Sequence, residues 1–123
     1  MEALIIEATE SHPEIILDKA NNIFKIEKRS FPEDATDFYT VVINWMEQYI
    51  HDPNEITEFA FKLEYYNTAT SKQFYKILIL LEQLAEKKTV IVKWYYKKED
   101  LDMLASGDIY TKLTKLDILL VEF

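Results

Sequence analysis

The sequence has no cysteine and only one glycine, Gly107, among its 123 residues. Without cysteine, the chain forms no disulfide, holds no thiolate-bound zinc or iron–sulfur cluster, and uses no thiol nucleophile. A Walker loop and a dinucleotide-binding fingerprint are excluded too, because both need several glycines for the backbone to approach a phosphate. The scarcity of glycine is the strongest evidence in the sequence against a nucleotide-using enzyme, and the lack of cysteine fits a reducing cytoplasm.

Basic residues and long apolar runs are also scarce. Lysine and arginine together number 14 against 22 aspartates and glutamates, which gives a formal net charge of −8. Because such a charge repels a phosphate backbone, we expect no nucleic-acid partner. No run approaches the roughly 18 apolar residues of a membrane span, and the acidic N-terminus does not resemble a signal peptide. We therefore expect a soluble cytoplasmic protein with no membrane partner.

Residues suited to catalysis are few. His12 and His51 are the only histidines, and neither has the spacing of a metal-binding motif. No GxSxG motif or Ser/His/Asp arrangement is present, so we predict no catalytic residue, no metal site and no cofactor. A small enzyme with an unrecognised site at the strand ends is an alternative, which a cleft with converging titratable groups would favour.

The first half of the chain shows strand periodicity followed by helix periodicity. The three predicted strands, of which the last two form a hairpin, are Leu4–Ile6, Glu14–Asp18 and Ile23–Glu27. Ser30 and Glu33 fit a capping box, which predicts a helix from about Glu33 to Ile50. Its buried stripe is predicted at Phe38, Val42, Trp45 and Tyr49, widened by Val41, Met46 and Ile50.

The second half alternates between strands and helices. Strand Thr57–Tyr65 is predicted to bury one face, formed by Phe59, Phe61, Leu63 and Tyr65. The other predicted segments are a helix to about Lys87, a strand Thr89–Tyr96, helical segments Glu99–Leu104 and Ile109–Lys115 around a break at Ala105–Asp108, and a strand Ile118–Val121 covered on both faces. Strands separated by crossover helices pair in parallel. We predict a single domain of residues 1–123 with an α/β fold: a mixed sheet of about five to six strands, an N-terminal antiparallel hairpin, parallel C-terminal strands and about three helices.

A hydroxyl-rich turn, NTATSK at residues 67–72, joins a strand to a helix. Asn67, Thr70 and Ser71 are residue types that cap helices by accepting hydrogen bonds from free backbone N–H groups, so capping alone accounts for them. A second interpretation is a phosphorylation site, because backbone donors and the helix dipole favour a phosphate at this position. The two interpretations are compatible when different hydroxyl groups serve each.

Aromatic residues gather near the C-terminal ends of two predicted central strands. Ligand and partner sites of open α/β sheets collect at this edge. Alternate residues of a strand face opposite ways, so we expect about half of these rings in the core and the others in an apolar contact patch. The candidate partner-binding residues are Tyr65, Tyr66, Trp94 and Tyr96.

Seven segments spread over nearly the whole chain follow the order of a known family. They are EALIIEATESHPEI (2–15), RSFPED (29–34), residues 37–49 around NWMEQY, KLEYYNTATSK (62–72), LLEQL (80–84), VKWYY (92–96) and DMLASGD (102–108). In these segments the chain resembles the SiaC-type regulatory phosphoproteins, which are related in fold to the STAS domains of anti-sigma-factor antagonists. It departs from that pattern at Phe31, Asp34 and Ala69, where tyrosine, asparagine and serine are usual.

The resemblance implies that Thr68, the threonine after the asparagine, is the phosphorylated residue. It also implies a partner switch that is not itself an enzyme, phosphorylated by a dedicated protein kinase and dephosphorylated by a PP2C-like phosphatase. Since the best-known family member activates a diguanylate cyclase when unphosphorylated, the implied effector is such a cyclase and the implied output is cyclic-di-GMP signalling and biofilm formation. An alternative is a STAS-like anti-anti-sigma module that controls transcription through an anti-sigma kinase.

Overall fold

The computed structural model describes residues 1–123, which form a six-stranded sheet and three helices. The elements in chain order are β1 (Leu4–Ile6), β2 (Glu14–Asp18), β3 (Ile23–Ser30), α1 (Ala35–Tyr49), β4 (Ile56–Tyr66), α2 (Thr68–Ala85), β5 (Thr89–Tyr96), α3 (Leu101–Leu113) and β6 (Ile118–Glu122). The strands lie side by side in chain order; the first three pair antiparallel, and β3 to β6 pair in parallel. This architecture confirms the predicted mixed α/β fold.

The helices cover one face of the sheet. Each connects neighbouring parallel strands in the same direction across the sheet, and right-handed crossovers of this kind place all the helices on one side. Phe59, Phe61 and Leu63 of β4 are buried in a core that includes the apolar residues of α1 and α2. The opposite face carries ion pairs, such as the one between Lys93 Nζ and Glu58 Oε1 at 3.2 Å. The alternation of apolar and charged residues in the sequence reflects this one-sided core.

The helix α1 begins later than the sequence predicts. Its N-cap is Asp34, whose Oδ1 accepts a hydrogen bond from the Asp37 N–H at 3.0 Å. The predicted capping box of Ser30 and Glu33 is wrong, because Ser30 is the last residue of β3 and its side chain is buried. Val41 is exposed and Tyr39 is buried, so the buried stripe is displaced from the predicted one. The fully buried side of α1 consists of Tyr39, Val42, Met46 and Tyr49.

A bulge interrupts β4 near its C-terminal end. Lys28 of β3 pairs with Leu63, whereas the next residue of β3 pairs with Tyr65, so Glu64 is an extra residue in the ladder. An extra residue switches the faces of the side chains that follow it. Tyr65 is therefore 50% exposed, and Tyr66 packs against the core instead. The prediction that Tyr65 lies on the buried face of β4 is wrong for this reason.

The helix α3 runs without a break through Gly107. The sequence predicts a turn at residues 105–108, but the glycine serves close packing instead. A Cβ atom at Gly107 would overlap the indole ring of Trp94 and lie 2.7 Å from Leu120 Cδ2. The Trp94 Nε1 donates a hydrogen bond to the Met103 carbonyl at 2.9 Å, which holds α3 against β5. A residue without a side chain is what lets the helix approach the sheet this closely.

The last strand, β6, lies at the edge of the sheet. The helix α3 packs against one of its faces, and Leu119 on the other face is 48% exposed. The prediction that this apolar strand is covered on both faces is therefore wrong. A run of four apolar residues does not distinguish a covered central strand from a half-covered edge strand.

We expect Gly107→Ala to destabilise the protein by about 1 kcal/mol. Overpacking a core costs roughly 1–3 kcal/mol, and the higher helix propensity of alanine offsets about 1 kcal/mol of that cost. Urea unfolding followed by tryptophan fluorescence measures the change. Ala105→Gly, at an exposed position of the same helix, is the matched control for propensity and should also destabilise by about 1 kcal/mol. A stabilising effect of Gly107→Ala would contradict the packing role.

Candidate functional site

The helix α2 starts at Thr68 and is capped by Asn67. The Asn67 Oδ1 accepts a hydrogen bond from the Thr70 N–H at 2.9 Å, and its carbonyl accepts one from the Ser71 N–H at 3.1 Å. The backbone of Asn67 is extended, with φ −90° and ψ 173°, as is usual for the residue before a helix. One side chain of the hydroxyl-rich turn thus serves as the cap.

Thr70 and Ser71 do not cap this helix, contrary to the sequence-based prediction. Both lie inside its first turn, and their hydroxyls bond to other groups. The Thr70 hydroxyl is fully buried and donates to the Ser30 carbonyl at 3.1 Å. The Ser71 hydroxyl donates to the Thr68 carbonyl at 2.6 Å. Thr70 therefore anchors the turn to the sheet, and Ser71 closes it locally.

A buried group of hydroxyls joins β3, α1 and the start of α2. The Ser30 Oγ lies 2.7 Å from the Tyr39 hydroxyl and 3.0 Å from the Thr70 Oγ1. The Ser30 carbonyl also accepts a hydrogen bond from the Asn67 N–H at 3.1 Å. Burial raises the pKa of Tyr39 well above its usual range, so its phenol stays protonated. We call Ser30, Tyr39 and Thr70 the hydroxyl cluster; sequence reasoning assigned no such role to Ser30 or Tyr39.

Thr68 differs from its hydroxyl-bearing neighbours. It is exposed, and its hydroxyl makes no hydrogen bond within the chain, although its carbonyl accepts one from Ser71. It occupies the first position of α2, where backbone N–H groups lack helical partners. Among the hydroxyls of this turn, Thr68 therefore has the side chain most open to another molecule.

Thr68 lines a cleft of about 960 Å³ between α2 and α3. The cleft opens beside the C-terminal end of β4, the edge at which sites in α/β sheets collect. The apolar and aromatic residues that line it are Tyr65, Tyr66, Tyr75, Met103, Ile109, Tyr110 and Leu113. Its charged residues are Glu64, Lys72, Lys76, Asp100 and Asp102. The tyrosines and the methionine of this lining are residue types enriched at protein–protein interfaces, whereas lysine, aspartate and glutamate are depleted there.

The structure divides the four aromatic residues predicted for partner binding. Tyr65 and Tyr66 line the cleft. Trp94 is only 1% exposed and belongs to the core, because its indole packs beneath α3. Tyr96 is partly buried against the core and does not line the cleft. The assignment of Trp94 to an exposed contact surface is therefore corrected.

Tyr110 connects the two walls of the cleft. Its hydroxyl donates a hydrogen bond from α3 to the carbonyl of Ser71 in the first turn of α2 at 2.9 Å. Burial raises the pKa of both Tyr110 and Tyr66, so the two phenols remain neutral at physiological pH. Sequence reasoning missed Tyr110; the only available signal was an aromatic residue within a helical segment.

The remaining candidates carry little chemistry. His12 Nδ1 lies 3.0 Å from the hydroxyls of both Thr9 and Ser11, which places it in a local turn. No group of three or more histidine and carboxylate side chains is arranged to hold a metal ion. None of the three helices has the length and apolar character needed to cross a membrane.

One known protein family matches nearly the whole chain. The model of the SiaC family regulatory phosphoproteins matches residues 6–123. The chain belongs to the SiaC family. An uncharacterised protein of Pseudomonas aeruginosa strain UCBPP-PA14 is 30% identical over 101 residues, which cover 81% of this chain and 80% of that protein.

Solved structures of SiaC from Pseudomonas aeruginosa have the same fold. Apo-SiaC superposes with a TM-score of 0.91 at 24% identity, covering 98% of this chain and 99% of that chain. The same score, identity and coverage hold for a chain in the crystal structure of the diguanylate cyclase SiaD in complex with its activator SiaC. At this identity the match shows a shared architecture.

We expect Ser30→Ala to destabilise the protein by about 1–2 kcal/mol, because it leaves the buried Tyr39 hydroxyl without a partner. Chemical denaturation measures the free energy of unfolding. The double variant Ser30→Ala/Tyr39→Phe removes both groups and should cost less than the sum of the two single changes. Additive costs would show that the two hydroxyls do not interact.

Proposed function

We propose that this chain is a cytoplasmic, non-enzymatic partner switch in which reversible phosphorylation of Thr68 controls binding to an effector. A protein kinase adds the phosphate and a PP2C-like phosphatase removes it. The effector is a diguanylate cyclase, so the output is cyclic-di-GMP signalling and the control of biofilm formation. The observation that carries the proposal is the exposed, unbonded hydroxyl of Thr68 on the wall of the cleft.

Accessibility favours Thr68 over its neighbours as the acceptor. A kinase must bring the acceptor hydroxyl in line with the γ-phosphate of its nucleotide. Thr70 is fully buried and bonded to Ser30, so it meets this need only if the turn unfolds. The hydroxyl of Ser71 is held by the Thr68 carbonyl. Thr68 alone in this turn requires no bond to be broken.

The position of Thr68 also favours a phosphate once it is added. A phosphate carries about −1.5 to −2 charges at neutral pH, and the first turn of a helix offers free N–H groups and a positive dipole end. The modification therefore does not strain α2. It does place a concentrated negative charge on the wall of the cleft, where a bound partner would have to accommodate it.

The choice of a cyclase as effector rests on family membership. The family is one of regulatory phosphoproteins, and a solved complex pairs a SiaC protein with the diguanylate cyclase that it activates. This chain has the same architecture as that SiaC. The apolar and charged cleft beside Thr68 offers a surface on which such a partner is expected to dock.

We expect the protein isolated from its native host to carry one phosphate, located at Thr68 by fragmentation mass spectrometry and removed by phosphatase treatment. Thr68→Ala should abolish the modification. Ser71→Ala, which removes another hydroxyl lining the same cleft, is the matched control and should leave it unchanged. Phosphate retained in Thr68→Ala would contradict the assignment.

Thr68→Asp should weaken binding to the diguanylate cyclase about tenfold, because it adds a negative charge to the cleft wall. Asparagine has almost the same size and shape as aspartate but carries no charge, so the Thr68→Asn variant should bind like the unmodified protein. Isothermal titration calorimetry measures both affinities. Equal losses for Asp and Asn would point to steric fit at residue 68 and count against a charge-based switch.

A further inference from the structure

The two walls of the cleft carry opposite charges. Lys72 and Lys76 belong to α2, whereas Asp100 and Asp102 belong to the start of α3, where Asp100 is the N-cap. The aromatic and aliphatic side chains lie between them. A partner that fills the cleft therefore meets a basic wall on one side and an acidic wall on the other.

The two lysines of the basic wall are unpaired. Neither Lys72 nor Lys76 has a carboxylate within ion-pair distance, a hydrogen bond or an aromatic ring beneath its ammonium group. Elsewhere in the chain, Lys19, Lys25, Lys28, Lys88, Lys93 and Lys112 form ion pairs, whereas Lys87, Lys98 and Lys115 do not. Both cleft lysines are exposed. The chain itself supplies no anion for them, which leaves their charges free for a ligand.

Lys72 also stands in a defined relation to Thr68. It follows Thr68 by four residues on α2, so the two side chains lie on the same face of the helix, one turn apart. Lys76 lies a further turn along the same face. An anion on Thr68 is thus within reach of Lys72 but not directly adjacent to Lys76.

We propose that Lys72 is shared between two anionic ligands: a carboxylate of the effector when Thr68 is unmodified, and the phosphate of Thr68 when it is modified. The inference rests on the function proposed above and specifies how that switch works. The effector segment in the cleft has apolar side chains and, on the border that faces α2, acidic residues that pair with Lys72 and Lys76. Phosphorylation draws Lys72 into an intramolecular ion pair and leaves the acidic segment facing a phosphate.

Charge complementarity selects acidic residues for the border of the occupant that contacts Lys72 and Lys76. The protein as a whole carries −8, which disfavours an acidic partner over most of its surface. The basic wall is a local exception to this negative charge. An acidic segment can bind there only while the wall remains positively charged. A phosphate of about −1.5 to −2 charges at Thr68 would neutralise Lys72 and place excess negative charge beside Lys76, which gives the modification a large effect for its size.

The intramolecular half of the proposal can be tested without any partner. We would install phosphothreonine at residue 68 and follow its second ionisation by phosphorus NMR titration. Because a neighbouring cation favours the dianion, Lys72→Gln should raise this pKa by about 0.3. Lys87→Gln, which removes an exposed lysine beyond the end of α2, is the matched control and should leave it unchanged. Equal values in all three proteins would exclude the Lys72–phosphate pair.

The intermolecular half is tested by a double-mutant cycle on affinity for the diguanylate cyclase. Lys72→Gln alone should weaken binding about threefold, as expected for one exposed ion pair, and Lys87→Gln should not change it. In the Lys72→Gln background, Thr68→Asp should then weaken binding about threefold less than in the unmodified protein, because Lys72 is no longer there to be drawn away from the effector. Purely additive effects would overturn the shared role of Lys72.

The outcomes separate this inference from the proposed function. When Thr68→Asp and phosphothreonine both weaken cyclase binding but the cycle is additive, the switch stands and the role of Lys72 fails. When neither change at residue 68 affects binding, the proposed switch itself fails. An affinity that rises on Lys72→Gln contradicts an acidic occupant and indicates that the segment in the cleft is basic at this wall.

Discussion

The turn that carries Thr68 depends on hydroxyl groups buried between the sheet and the helices. Ser30 at the end of β3 holds Tyr39 of α1 and Thr70 of α2 through bonds of 2.7 and 3.0 Å. An unpaired hydroxyl at such a depth costs about 1–3 kcal/mol, so each member of the hydroxyl cluster constrains the others. The start of α2 therefore has one favoured position relative to the sheet, and Thr68 is presented at a fixed place.

Periodicity predicted the fold well because the core is one-sided. Strands such as β4, with Phe59 and Phe61 inside and Glu58 outside, place a clear signal in the sequence. The errors arose where a tertiary contact overrides a local signal. Ser30 has the sequence neighbours of a helix cap but bonds to Tyr39, and Gly107 resembles a turn residue but makes room for the indole of Trp94.

The candidate site was predictable in outline and not in detail. Composition alone marks residues 67–72 as a hydroxyl-rich turn, and family resemblance selects Thr68 within it. Neither reveals that Thr70 is buried, since that depends on the contact with Ser30, 40 residues earlier in the chain. The bulge at Glu64 likewise moves Tyr65 to the surface and Tyr66 inward through one extra residue in the ladder, which no periodicity rule anticipates.

The same rigidity bears on how a phosphate at Thr68 would act. The Thr68 hydroxyl lies outside the hydroxyl cluster, so modifying it breaks none of the bonds that hold α2 to β3. A helix start accommodates an anion without unfolding. A change of conformation therefore has no evident driving force, whereas the change in local charge is large and faces a cleft with unpaired lysines. The proposed switch would therefore work through electrostatics at a preformed surface, and the unmodified and phosphorylated forms should share one backbone.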